Sequence, residues 1–252
     1  MPEFRSRKAL VNPELRRRGI YLLPNLFTTA ALFAGFYAIV QAMTDRFEQA
    51  AVAIFIAMIL DGLDGRVARL TRTQSAFGAE YDSLSDMVSF GVAPALVMFE
   101  WAMKGMGKWG WIAAFIYCVG AALRLARFNT NIEVIDKRFF QGLPSPAAAA
   151  LIAGFVWVLM DLNYTGEEVR WYAWALTIFA GVTMVSNFRY YSGKDINLRR
   201  SVPFIAVLAI VLFFVLVSSY PPGILFALFL CYAFSGYIMA VLDWVRRRKT
   251  PA

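Results

Sequence analysis

The sequence predicts an all-α membrane protein: a polytopic helix bundle with about eight transmembrane helices. The first observation is composition, because 60% of the 252 residues are hydrophobic and 17% are charged. Soluble domains average about 45–50% apolar and about 25% charged residues, so this chain has too little charge to cover an ordinary soluble core. The second observation is a series of apolar runs near the ~20 residues that a helix needs to cross a bilayer. Together they exclude soluble enzymes, disordered tails and disulfide-rich scaffolds.

The predicted spans follow one another along the chain. The first, Leu22 to Met43, contains no charged residue. The other seven are predicted at 47–69, 82–103, 109–127, 145–161, 171–186, 202–220 and 223–245. The spans at 145–161 and 171–186 are short and could be tilted or partly interfacial, so six or seven helices is the alternative.

The basic residues predict how these spans are oriented. With eight spans and both termini cytoplasmic, 21 of the 25 Lys and Arg residues fall on the cytoplasmic side, which is the bias typical of cytoplasmic loops. Losing one span would reverse every later loop and remove the bias, so an even number is favoured. The net charge of +8 is then explained by loops facing anionic membrane lipids, and no nucleic-acid partner is expected. We predict a multi-pass protein of the inner cell membrane.

The chain divides into three predicted parts. Residues 1–20 form a basic juxtamembrane arm, interpreted as an interfacial helix on an anionic leaflet, with a disordered tail as the alternative. Residues 21–245 form one membrane domain without an internal repeat, and residues 246–252 form a basic C-terminal tail.

The residue types that are missing restrict the chemistry. The sequence contains no histidine, which excludes imidazole bases, His-ligated metals and Ser-His-Asp triads. The two cysteines, Cys118 and Cys231, lie singly in apolar runs, a spacing that fits neither a zinc nor a redox site. Acid–base or metal chemistry must therefore be performed by carboxylates.

Four aspartates lie at or near membrane depth, where a carboxylate at a helix centre costs about 2.5–3.5 kcal/mol on insertion scales. They are Asp61 and Asp64 on the second predicted span, and Asp82 and Asp86 on the third. Spacings of three and four residues place each pair on one helix face. The loop at 70–77 is short and polar, so the two helices should be antiparallel neighbours. Four carboxylates without His or Cys predict a hard oxygen site for Mg²⁺ or Mn²⁺, with Ca²⁺ as a further possibility.

Small and basic residues surround these carboxylates. Small residues allow a bulky ligand to approach the backbone closely, and arginines are suited to phosphate. The small residues are Gly62, Gly65, Ala68 and Gly78, and the arginines are Arg66, Arg69 and Arg72. The combination predicts a site for metal, phosphate and lipid.

These residues form a motif that resembles the signature of the CDP-alcohol phosphatidyltransferase family, D-x-x-D-G-x-x-A-R-x8-G-x3-D-x3-D. All eight fixed positions match, and they are Asp61, Asp64, Gly65, Ala68, Arg69, Gly78, Asp82 and Asp86. Further segments are similar to the serine-specific branch of this family: 23–28, 80–84, 88–94, 122–129 and 142–146. The resemblance covers about residues 22 to 150, and it identifies the predicted membrane domain at 21–245 as a member of the family.

The resemblance implies a reaction, a set of ligands and a homodimer. The hydroxyl of L-serine would attack CDP-diacylglycerol, giving phosphatidylserine and CMP, with divalent metal held by the four aspartates and Asp86 as the general base. Nucleotide contacts are expected from Asn25, Thr28, Gly65, Ala68, Arg69 and Gly78. The serine carboxylate is expected at Arg124 and Arg127, which lie three residues apart, with Asn129 beside them. Arginines that extend to the lipid headgroups are the alternative for this pair.

Two other functions stay open at the level of sequence. The same chemistry could use glycerol 3-phosphate, an inositol phosphate or choline as the acceptor. A cation- or proton-coupled transporter would also place functional carboxylates inside the membrane. We find neither the repeat symmetry nor the broken helices that transporters often show, so the enzyme is the favoured interpretation.

Overall fold

The computed structural model describes residues 13–71, 73–130, 139–192 and 204–249. Within these ranges the chain is a bundle of eight helices, and the predicted all-α class is confirmed. The helices are α1 (Pro13–Ala42), α2 (Phe47–Thr71), α3 (Ala76–Met106), α4 (Lys108–Thr130), α5 (Ser145–Asp161), α6 (Gly166–Val185), α7 (Phe204–Ser219) and α8 (Pro221–Lys249). Two short antiparallel strands, β1 (Phe139–Gln141) and β2 (Arg189–Tyr191), pair outside the helices and were not predicted.

Residues 1–12, Arg72, residues 131–138, 193–203 and 250–252 lie outside the described part of the chain. Most of the predicted basic arm and part of the C-terminal tail therefore fall outside it. Four of the described helical segments are long and apolar enough to cross a membrane: Leu23–Ala42, Ala76–Met106, Lys108–Thr130 and Pro221–Arg246. Helix α2 is also long, but its second half carries Asp61, Asp64 and two arginines. The number of spans and the location of the termini remain predictions.

Helix α3 is continuous but not uniform. It begins as an α-helix at Ala76–Asp86, changes to a π-helix at Met87–Val92, and contains a second π segment at Phe99–Met103. A π segment changes the face that the following residues present, and such segments are frequent at functional sites. The first one begins directly after Asp86, so the face that carries the aspartates ends at this position.

Helices α1 and α2 pack through small residues. The buried positions between them are mostly alanines, including Ala34, Ala38, Ala50 and Ala57. Small residues allow membrane helices to approach closely, which compensates for the lack of a hydrophobic driving force between helices in lipid. This close pairing brings Thr28, near the middle of α1, next to Asp64 in the second half of α2.

Helix α5 is the most buried helix among those described. From its short apolar sequence, this helix could have been partly interfacial, but residues 147–153 are all buried in the structure. It packs against α2, α3 and α8, so it is a central helix of the bundle. A helix that is apolar on all sides is expected to be enclosed by other helices in this way.

Helices α4 and α6 cross at a pair of glycines. A Cβ atom added to Gly120 would lie 2.4 Å from the carbonyl oxygen of Gly181, a distance that real side chains do not show. Helix α6 starts five residues before the predicted span at 171, because Thr165 and Glu168 form a capping box at its N-terminus. The crossing fixes α4, which carries Arg124, against the rest of the bundle.

Candidate active site

The aspartates meet because α2 and α3 are antiparallel and joined by a short connection, as the sequence predicts. Ser75 caps the N-terminus of α3, and its Oγ accepts a hydrogen bond of 3.0 Å from the backbone N–H of Gly78. The Asp61 carboxyl lies against that of Asp86, and the Asp64 carboxyl lies against that of Asp82. The first aspartate of α2 thus meets the second aspartate of α3, and the second meets the first, as expected for antiparallel helices.

Three of the four carboxylates form a compact group. One oxygen from each of Asp61, Asp64 and Asp82 can be chosen so that all lie within 4.8 Å of one another. Asp64 is buried, with 5% of its surface exposed, and the other two are half-buried. Asp86 lies beside Asp61 but outside this compact group, and it also interacts electrostatically with Arg124 of α4.

The three aspartates have the chemistry of a divalent-cation site. The Oδ1 atom of Asp82 is buried and has no hydrogen-bond partner, which is costly for a carboxylate unless a ligand compensates. Three negative groups in contact also repel one another, and a cation removes this repulsion. Because all the donors are oxygens, Mg²⁺, Mn²⁺ or Ca²⁺ fits this group better than zinc or copper.

Thr28 of α1 orients one of these carboxylates. Its Oγ1 donates a 2.7 Å hydrogen bond to Oδ2 of Asp64, and the side chain is 4% exposed. The same hydroxyl approaches the carbonyl oxygen of Pro24 at 3.2 Å. The sequence predicted Thr28 as a nucleotide contact, and the structure shows that it also orients the Asp64 carboxylate, as partners of metal ligands do.

Thr28→Val should weaken the metal site without removing a carboxylate. Partners that orient metal ligands typically contribute 10–100-fold to metal affinity or activity, so we expect the Mn²⁺ concentration for half-maximal activity to rise by about tenfold or more. Thr44→Val is the matched control, since Thr44 is exposed and its hydroxyl bonds only to backbone carbonyl groups of α1. Equal Mn²⁺ requirements for the two variants would contradict the orienting role.

A cavity of about 360 Å³ opens next to Asp64 and Asp82. Its lining includes five of the six residues predicted to contact a nucleotide: Asn25, Thr28, Gly65, Ala68 and Gly78. A Cβ atom added to Gly65 would meet no atom within 4 Å, so this position faces open space. The sixth residue, Arg69, does not line the cavity, because its Nε donates a 2.9 Å hydrogen bond to the carbonyl oxygen of Gly65 and its side chain is exposed.

Sequence reasoning missed several other residues of this cavity. They are Pro24, Thr73, Gln74, Ser75 and Ala79. Two signals could have found Ser75: it is a strong N-cap residue before an apolar helix, and it precedes Gly78 by the three residues that a capping bond needs.

Two buried serines, also missed, hold α1 against α3. Ser85 donates to the carbonyl oxygen of Thr28, and Ser89 donates to that of Ala31, each at 3.1 Å. These bonds keep the α1 wall of the cavity in register with the aspartates of α3. A hydroxyl that faces a backbone carbonyl of another helix leaves no pattern in the sequence.

The three residues predicted to bind the acceptor lie in different surroundings. Arg124 is 9% exposed, and its Nη1 donates a 2.5 Å hydrogen bond to Ser145 at the start of α5. Nη1 of Arg127 instead donates to Asn187 at 3.2 Å, beyond the end of α6. Asn129 donates a 3.0 Å hydrogen bond to Ser83 of α3. Only Arg124 interacts with the aspartates, and its burial rules out extension to the lipid headgroups for this residue.

The fold and the site together define a helical membrane protein with an acidic, metal-compatible site and an adjoining ligand cavity between its first three helices. The family model for CDP-alcohol phosphatidyltransferase matches residues 21–179. The chain belongs to this family, as its signature indicated, and this membership favours the enzyme over the transporter. Helices α7 and α8 lie beyond the matched region.

Several curated relatives are similar to this chain over a large part of its length. The CDP-diacylglycerol–serine O-phosphatidyltransferase of Helicobacter pylori is 40% identical over 181 residues, which are 71% of this chain and 75% of the relative. The proteins of the same name from Mycobacterium leprae and Methanocaldococcus jannaschii are 32% and 41% identical, over 82% and 54% of this chain and 72% and 61% of the relatives.

Proposed function

We propose that this chain transfers the phosphatidyl group of CDP-diacylglycerol to the hydroxyl of L-serine, forming phosphatidylserine and releasing CMP. Family membership supports the use of a CDP-alcohol, and the names of the relatives support serine as the acceptor. The observation that carries the proposal is the position of the Asp61, Asp64 and Asp82 group. This group borders a cavity of about 360 Å³ through Asp64 and Asp82, and Asp61 contacts Asp86, which interacts electrostatically with Arg124.

The cavity accommodates the nucleotide half of the donor. Gly65 leaves open space beside the backbone, whereas a Cβ atom at Gly78 would lie 3.1 Å from Oγ of Ser75. Asn25 and Thr28 offer polar groups from α1. Asp61, Asp64 and Asp82 would hold Mg²⁺ or Mn²⁺, with Ca²⁺ as an alternative. A bound ion there would neutralise charge on the pyrophosphate and on the CMP leaving group. Asp86 has two oxygens, so it can share in metal binding with Asp61 and still accept a proton.

Asp86 is the proposed general base. It is the aspartate nearest to Arg124 and so faces the side where the acceptor would bind. It takes the proton from the serine hydroxyl as the serine oxygen bonds to the phosphorus that carries diacylglycerol. The bond from this phosphorus to the CMP oxygen breaks, and CMP leaves with its electron pair.

Arg124 is the proposed contact for the serine carboxylate. Its guanidinium has five N–H donors in a planar fork that matches a carboxylate, and one of them is already bonded to Ser145. Asn129 and Arg127 lie farther along α4 and would form the outer part of the acceptor pocket. The proposal also includes a membrane domain of eight spans in the inner membrane, with both termini and the site on the cytoplasmic side. Anionic lipids would lie near the basic loops, and the chain would form a homodimer.

The function is tested by acceptor-dependent CMP release. The purified protein in detergent receives CDP-diacylglycerol and Mn²⁺ or Mg²⁺, with L-serine, glycerol 3-phosphate, inositol phosphate or choline offered separately. We expect CMP release and phosphatidylserine with L-serine, and no release above background with the other three. Release with a different alcohol would replace the proposed acceptor, and no release with any alcohol would contradict the enzymatic proposal.

A further inference from the structure

Ser145 is the first residue of α5 and is fully buried. Its Oγ accepts the 2.5 Å hydrogen bond from Nη1 of Arg124. Building on the proposed function, in which Arg124 recognises the acceptor, we infer that Ser145 is a positioning residue: it sets the orientation of the Arg124 guanidinium and thereby selects acceptors that carry a carboxylate.

The position of Ser145 is set by the backbone around it. Gly142 has φ +74°, and a Cβ atom added there would lie 2.1 Å from the carbonyl oxygen of Met184, so only glycine fits. The backbone N–H of Gly142 donates to Phe188, and that of Leu143 donates to Thr183, at 2.8 and 3.1 Å. The chain before α5 is therefore held against the end of α6, and Ser145 does not depend on a ligand for its place.

Prolines on both sides of Ser145 restrict it further. Pro144 has the extended backbone of a helix N-cap, and Pro146 lies in the first turn of α5, where its fixed φ suits the start of a helix. The hydroxyl of Ser145 is thus presented from a rigid turn. A hydrogen-bond partner that cannot move can fix the plane of the Arg124 guanidinium. A flexible partner would instead move together with the guanidinium and leave its plane undefined.

Among the described residues, Arg124 has no other direct partner that could do this. It forms no ion pair within 4.0 Å there, although it interacts electrostatically with Asp86, Tyr117 and Tyr232. Both tyrosine hydroxyls donate elsewhere: Tyr117 to the carbonyl oxygen of Phe90 and Tyr232 to that of Tyr191. The bond to Ser145 therefore fixes one N–H of the fork, and the other N–H groups are available to an incoming carboxylate near Asp86.

This arrangement favours a particular class of acceptor. A carboxylate bound by two parallel N–H groups depends on the plane of the guanidinium, since both bonds must be made in one orientation. A choline or a simple alcohol has no group that requires this plane. Loss of the Ser145 hydroxyl should consequently affect the binding of L-serine much more than the binding of CDP-diacylglycerol, because neither Ser145 nor Arg124 lines the cavity proposed for the nucleotide.

The test is a comparison of Michaelis constants in Ser145→Ala. Hydrogen bonds to charged groups are strong enough for their loss to weaken binding by about tenfold or more, so we expect the KM for L-serine to rise by about tenfold. The KM for CDP-diacylglycerol and kcat should stay within about twofold. Ser145→Thr keeps the hydroxyl and should return the serine KM to near the wild-type value. Thr177→Val is the control, because Thr177 is also fully buried but bonds only to the Ala173 carbonyl in its own helix.

Several outcomes would overturn the inference. An unchanged serine KM in Ser145→Ala, an equal rise in both Michaelis constants, or the same change in Thr177→Val would each contradict positioning by Ser145. If Ser145→Ala does not yield folded protein, Ser145→Cys replaces it, because a thiol has nearly the same volume and is a weaker hydrogen-bond acceptor. The KM for L-serine should again rise while the KM for CDP-diacylglycerol and kcat stay nearly unchanged. An unchanged serine KM or an equal rise in both Michaelis constants would contradict the inference here too.

The failure of the inference is distinguishable from the failure of the proposed function. Wild-type protein that releases CMP with another alcohol, and not with L-serine, would contradict the proposed function. Wild-type protein that uses L-serine, together with Ser145→Ala that binds L-serine equally well, would contradict the inference alone.

Discussion

Asp82→Asn should lower serine-dependent CMP release by about 100-fold or more. Asp82 belongs to the compact carboxylate group, and its Oδ1 is buried without a hydrogen-bond partner. An amide in place of this carboxylate removes one negative charge and offers a single weaker oxygen ligand. Metal ions stabilise charge in such transition states by several kcal/mol, and each 1.36 kcal/mol corresponds to a tenfold change in rate. We also expect weaker binding of Mn²⁺, measurable by electron paramagnetic resonance without any substrate.

The matched control for this variant is Asp45→Asn. Asp45 is exposed in the turn between α1 and α2 and has φ +59°, a conformation that asparagine tolerates well. The control should retain wild-type activity and Mn²⁺ binding. Undiminished CMP release in Asp82→Asn would contradict the site, whereas lost release with unchanged Mn²⁺ binding would contradict the assignment of Asp82 as a metal ligand.

Asp86→Asn should produce a different pattern, in which kcat falls but the donor still binds. General bases typically contribute 10²–10⁴-fold to a rate, so we expect a decrease of about 100-fold or more in kcat. Asp86 lies beside Asp61 and outside the compact group of Asp61, Asp64 and Asp82. The KM for CDP-diacylglycerol and the Mn²⁺ affinity should therefore change less in this variant than in Asp82→Asn.

Steady-state kinetics and Mn²⁺ titration of both variants distinguish these roles. A kcat within tenfold of wild type in Asp86→Asn would argue against a general base at this position. A loss of Mn²⁺ binding as large as that in Asp82→Asn would indicate that Asp86 acts mainly as a metal ligand. Asp45→Asn serves again as the control for a carboxylate-to-amide change outside the site.

Much of the fold was predictable because helix length and helix polarity are local properties of the sequence. The apolar runs at 145–161 and 47–69 coincide closely with α5 and α2, since a charge or a turn residue ends each run. The aspartate spacing was equally informative. Asp61 and Asp64 share one face of α2, and the short polar connection after α2 leaves an antiparallel neighbour as the natural arrangement.

Other features depended on how helices rotate against one another. From their spacing, the four aspartates were predicted to be equivalent metal ligands. In the structure Asp86 lies outside the compact group and interacts with Arg124. The same spacing places Arg124 and Arg127 on one face of α4, but different segments pack against the two arginines. Arg124 points to Ser145, and Arg127 points to Asn187.

The sequence by itself determined the class of the protein, the approximate limits of its helices and the residues available for chemistry, because a chain without histidine and with little charge has few alternatives. Only the tertiary structure decided which of these residues meet. The central helix α5 is apolar on all sides, so its pattern indicates no preferred face. Ser145 reaches Arg124 because Gly142 permits a close approach to the end of α6. Such contacts arise from packing between distant segments, and local periodicity contains no information about them.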